Sequence, residues 1–126
     1  MSQYRTRADL VLEALESLGA LAAGQTPEIE DTTRIDEKLD SIFAKLAGLE
    51  IVYVSDPDNI PQAYFADLAK IVADECKTKF GTVGEDAAQL EREGLGVPAG
   101  TGAAAMSLKA MTRGRPTFET QRALYF

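Results

Sequence analysis

A chain of 126 residues that is 45% hydrophobic and 26% charged has room for one folded domain around one core, and no apolar run nears the roughly 20 residues of a membrane span. Its 20 acidic and 13 basic side chains leave a net charge of −7, the wrong sign for a body that grips phosphate backbones. There is no histidine, which removes Ser-His and Cys-His catalysis and histidine-bearing zinc sites together.

Residues 1–7 have no apolar stretch behind them and do not read as a secretory leader. The first helix is expected to open at Thr6, with Asp9 three residues on as its capping-box partner. Leu10, Val11, Ala14, Leu15 and Leu18 then share one face at helical spacing, and Gly19 is placed to close the last turn. Residues 20–25 link it to a second helix, for which Thr26 is the expected N-cap and Pro27 the first helical residue. Glu28, Glu30 and Asp31 suit its positive end. Ile35, Leu39, Ile42, Phe43 and Leu46 form its buried stripe, Arg34, Lys38 and Lys45 face water, and Gly48 ends it. A short glycine-containing linker makes the two helices an antiparallel hairpin.

The β-branched run from Leu49 to Val54 is too short for a helix and suits an extended segment. Asp56, Pro57, Asp58 and Asn59 have turn chemistry. Pro61 opens a third helix with an apolar face of Phe65, Leu68, Ala69, Val72, Cys76 and Phe80, stopped by Gly81. These three helices are expected to carry most of the core. Glu85 to Glu93 fits a short amphipathic helix around Ala87 and Leu90. The glycine-rich stretch from Gly94 to Gly102 reads as a loop or hinge, and Ala103 to Met111 as a last short helix.

The residues that carry chemistry elsewhere have plainer roles here. Cys76 lies on an apolar face, so it is a core cysteine rather than a nucleophile, and as the single cysteine it forms no internal disulfide. A reducing compartment and a virion both fit that count. Asp56, Asp58 and Asn59 lack the glycine and distal glutamate of a calcium loop. Asp36, Glu37 and Asp40 read as a solvated helix face. Gly94, Gly96, Gly100 and Gly102 do not join a strand to a helix as phosphate-binding glycines do. Met106 and Met111 are filler for a core or an interface. The expectation is a non-enzymatic protein with no catalytic, cofactor or metal residues.

Residues 113–126 differ from everything before them. Residues 1–96 hold nine basic and nineteen acidic side chains, a balance of −10, whereas residues 97–126 hold four and one, a balance of +3. Arg113, Arg115 and Arg122 face a single Glu119, and Pro116, Phe118, Leu124, Tyr125 and Phe126 supply a rigid joint and apolar anchors. Ordering such a segment costs about 1–2 kcal/mol per residue, and burying each anchor returns about 1.5–3 kcal/mol. Side chains alone fall short, so backbone pairing, the stiffness of Pro116 or repetition around an oligomer has to supply the rest. The division is a helical body over residues 1–112 and an extended docking tail over residues 113–126. Two outcomes stay open: the tail docks into a partner, or it packs on its own body.

Several stretches in this order resemble one family: TRADLVLEALESLG at 6–19, GQTP at 24–27, DPDNIP at 56–61, Phe80 with Gly81, RGRPT at 113–117, and Tyr125 with Phe126. The chain is similar to the head-to-tail connector (adaptor) proteins of tailed bacteriophages, prophages and gene transfer agents, of the tail-accessory-factor type. Residues 94–104 are richer in glycine and alanine than that pattern. The resemblance implies a virion neck protein, assembled in the bacterial host cytoplasm, in a ring of about twelve copies beneath a dodecameric portal. Arg113, Arg115, Pro116, Phe118, Arg122, Leu124, Tyr125 and Phe126 would bind the portal ring. The body would offer a platform to the next neck or tail component, a stopper or a tail tube or nozzle. Double-stranded DNA would pass through the lumen without specific binding, and an acidic lining suits that passage.

The fold expected is therefore all-α: a small helical bundle with a short extended segment and an extended C-terminal tail. The functional alternative is a small intracellular helical regulatory or binding module whose tail is self-packed.

Overall fold

The capping chemistry read at Thr6 starts the first helix. In the computed structural model, which describes residues 4–21 and 24–113, the Thr6 hydroxyl accepts from the Asp9 amide at 3.1 Å and the Asp9 carboxylate accepts from the Thr6 amide at 3.2 Å. That amide, with help from Arg5, holds the Asp9 carboxyl below the usual aspartate range. Helix α1 runs Arg7–Ser17 and buries Leu10, Val11, Ala14 and Leu15. The chain leaves it through Gly19 at positive φ, with the amides of Gly19 and Ala20 bonded back to the carbonyls of Glu16 and Leu15.

Helix α2 runs Ile29–Gly48, and all five residues of the expected stripe are buried. Its start is a correction. The N-cap is Glu28, without a side-chain bond, and Thr26 and Pro27 precede the helix. Proline permits a helix start but does not force one, and Ile29 is 82% exposed, so no apolar contact draws the first turn earlier. Arg34 and Lys45 are exposed as expected and Lys38 is half-buried; both lysines also reach the neighbouring helix, Lys45 Nζ pairing with Glu75 Oε1 at 2.8 Å and Lys38 donating to the Glu75 carbonyl. Their long stems lie along the protein while the charged heads find acceptors. Helices α1 and α2 pack together, and Arg7 at the start of α1 meets Asp36 (2.7 Å) and Asp40 (2.8 Å) on α2. Two carboxylates read as a solvated face thus clamp the hairpin while staying exposed.

Helix α2 ends at Gly48 as expected, and the chain turns away two residues later through Glu50. Glu50 takes φ 58°, its amide donates to the Ala47 carbonyl, and the Ile51 amide donates to that of Leu46. Ile51 and Val52 are buried, but residues 51–54 form no strand among the described residues. The pairing lies elsewhere: β1 (Tyr4–Arg5) runs antiparallel to β2 (Ile60–Pro61). Just before β2 the expected turn forms, with the Asp58 amide on Asp56 Oδ1 and the Asn59 amide on the Asp56 carbonyl.

Helix α3 (Gln62–Cys76) follows Pro61 directly and tightens into a 3-10 turn over Lys77–Phe80 before Gly81 reverses the chain. It is the axis of the bundle, packed on α1, α2, α4 and α5. Being surrounded, it buries Ile71, Ala73 and Asp74 as well as the expected Phe65, Leu68, Ala69, Val72 and Cys76, whereas Phe80, in the 3-10 turn, is half-buried. Helix α4 (Gly84–Glu93) leaves Leu90 half-buried. The first three helices carry most of the core as expected, and helix α5 (Ala103–Arg113), longer than expected, adds Ala104, Ala105 and Leu108 to it. The all-α expectation holds, and no helix of the described residues is long and apolar enough to cross a membrane.

Glu50 carries a left-handed backbone that disfavours any residue with a Cβ. Glu50→Gly is expected to raise stability by about 0.5–1 kcal/mol in urea unfolding; an unchanged or lower midpoint contradicts this account of the α2 terminus.

Candidate partner-docking surfaces

Of the residues assigned to partner binding, Arg113 is the last residue of α5 rather than the first of an extended stretch. Arg115, Pro116, Phe118, Arg122, Leu124, Tyr125 and Phe126 lie outside the described residues. What the structure defines is the base from which they leave. Near the end of α5 the Thr112 hydroxyl lies 3.1 Å from the Ile51 carbonyl and 3.0 Å from the Leu108 carbonyl of its own helix, and its one hydrogen serves either acceptor or is shared between them. Met111 is half-buried against the core beside Pro61 and Tyr64, whereas Met106 is exposed.

The start of α5 is held harder still. Asp74 on α3 is only 3% exposed. One of its carboxylate oxygens accepts the Leu95 amide at 3.0 Å, and the other pairs with Lys77 Nζ at 2.7 Å. Lys77 also reaches Glu91 on α4 at 3.3 Å. Burial disfavours the charged lysine, but the hydrogen bonds and charges of Asp74 and Glu91 together outweigh it, so the Lys77 pKa stands above the ordinary value. The loop after α4 presses on α3 at Gly94, where a Cβ would come within 2.8 Å of both the Asp74 side chain and the Lys70 carbonyl. Gly102 lies against the backbone of Gly94 and Gly96, leaving no room for a side chain. The Gly100 and Gly102 amides both bond the Leu95 carbonyl, and Ala105 bonds that of Gly94. The stretch read as a loop or hinge is a tightly bonded loop that fixes α5.

A second feature escaped the sequence altogether. The end of α1, the turn after α3 and one side of α4 enclose an open cleft of about 570 Å³. Leu18, Phe80, Val83 and Leu90 give it an apolar lining, with Val83 77% exposed. Glu16, Asp86 and Glu93 add carboxylates, and among the described residues no lysine or arginine lines it. Its parts come from three separated stretches, so no local spacing announces it.

The remaining polar candidates fall where plain packing puts them. Cys76 is fully buried, and burial pushes its thiol pKa up, away from nucleophilic use. Asp56 is occupied in its turn. No group of three or more acidic, cysteine or histidine side chains able to hold a metal ion occurs among the described residues. Comparison with protein-family models, curated proteins and solved structures finds no match for the chain.

Removing Asp74 leaves Lys77 with Glu91 alone and takes the acceptor from the Leu95 amide. Asp74→Ala is expected to cost about 3–5 kcal/mol, and Asp74→Asn, which keeps an acceptor, less. Because the Lys77 pKa is raised on folding, its contribution is fully present below the ordinary lysine value and disappears as pH rises through the raised one. Lys77→Met should therefore flatten the alkaline limb of a stability-against-pH curve; an alkaline limb as steep as the parent's contradicts the pairing.

Proposed function

We propose that the chain is a structural head-to-tail connector (adaptor) protein of a phage-like particle. It binds the portal ring through residues 113–126, extends the DNA channel, and offers its helical body as a platform for the next neck or tail component. The observation that carries this reading is the contrast between the two parts of the chain. A body of balance −10 over residues 1–96 is followed by a basic segment set with aromatic anchors. That segment departs from α5, whose first residues are tied to α3 through the Asp74 loop and whose end is tied to Ile51.

A docking segment benefits from such a base. When its root is fixed, the arginines meet partner carboxylates with less orientational freedom to lose. Repetition around a ring of about twelve copies then multiplies a weak single contact. Arg113, Arg115 and Arg122 would pair with portal carboxylates, and Phe118, Leu124, Tyr125 and Phe126 would fill apolar pockets. An acidic body around a DNA channel would repel the duplex instead of holding it.

Deleting residues 114–126 should abolish decoration of candidate portal rings in electron micrographs while leaving the helical circular dichroism of the body nearly unchanged. If the shortened chain still decorates the rings, the anchoring role is wrong.

A further inference from the structure

We propose that the acidic cleft between α1, the turn after α3 and α4 receives residues 113–126 of a second copy of this chain. The inference rests on the cleft and on the chemistry of that segment, not on the connector reading. A portal ring would compete for the same segment, so this contact belongs to copies not yet assembled.

The cleft is built for a cationic, apolar guest. Glu16 stands in the last turn of α1, which has no basic residue there. The helix macrodipole already places partial negative charge at that end, so the position disfavours a carboxylate unless a cation comes to it. Glu93 occupies the last residue of α4 and accepts a hydrogen bond from Gln89. None of Glu16, Asp86 and Glu93 forms an ion pair with a lysine or arginine among the described residues. The cleft volume lies in the usual range for a ligand site. Within this chain, residues 113–126 are the one stretch that combines an excess of arginine with several aromatic side chains.

Geometry favours a second copy over the same chain. The end of α5 lies by Ile51, Pro61 and Tyr64, at the beginning of α3. The cleft runs along the other half of α3, from Glu93, beside Gly94 and so near Lys70 and Asp74, to Phe80 in the turn that follows the helix. Fifteen α-helical and four 3-10 residues lead from Pro61 to its far wall at Phe80, a span of about 30 Å. Phe118 is five residues beyond Arg113, a reach of at most about 17 Å, so Arg115, Pro116 and Phe118 of the same chain fall short of that wall. Another copy can offer the whole segment. Such a contact joins two different surfaces, head to tail, and repeats into rings or filaments.

Sedimentation velocity of the full chain at low salt tests this. Association that grows with concentration and weakens with added salt is expected. Glu16→Lys/Glu93→Lys should weaken it about tenfold or more. Both substitutions place a cation at a helix C-terminus, so folding should not suffer. Arg115→Glu/Arg122→Glu should weaken it similarly, and mixing the two variants should restore association, since one keeps a sound segment and the other a sound cleft. A monomeric parent chain, association indifferent to the cleft reversal, or variants that fail to complement would each overturn the proposal.

Discussion

A carboxylate taken out of water must be matched group by group, and that requirement at Asp74 organises the second half of the molecule. Both of its oxygens are engaged, one by the Leu95 amide and one by Lys77. Such a cluster tolerates no slippage, because losing either partner strands a buried charge. The loop after α4 is therefore held against the middle of the bundle, with Gly94 close enough to α3 to exclude a Cβ. Once Leu95 is buried, α5 follows with Ala104, Ala105 and Leu108 on the core. Its end, and the root of the arginine-rich segment, inherit their position from that one acid.

The helices that could be read from the sequence are those whose signals are local. Thr6 with Asp9 and the stripe from Ile35 to Leu46 each lie within a few turns of one another, and folding has only to honour them. Gly81 likewise sits where the chain must reverse. The start of α2 was misplaced because Pro27 is permissive, and only the lack of packing around Ile29 decides the boundary. The two-residue pairing of Tyr4–Arg5 with Ile60–Pro61 is too short to leave a period of two. No local sequence signal marks Asp74; its burial depends on a loop twenty-one residues away.

The candidate site was legible to a similar degree. A basic, aromatic segment after an acidic body is a matter of composition, and it stood out at once. The fixed base beneath it was not legible, since glycine-rich sequence suggests freedom and here serves close approach. The acidic cleft was hidden for a different reason. Residues 16–19, 80–83 and 86–93 are far apart in sequence and meet only where α1 and α4 both pack on α3. Charge asymmetry links the two features: one carries the cations and anchors, the other the carboxylates and an apolar lining.

If Asp74 organises α5 as described, α5 should not open without the rest of the bundle. Native-state hydrogen exchange reads this directly. The Leu95 amide and the amides of Leu108 and Lys109 should be protected to nearly the same free energy as those of Ile71 and Val72 in α3. Exchange of α5 through a low-energy local opening, while α3 stays closed, would contradict the account.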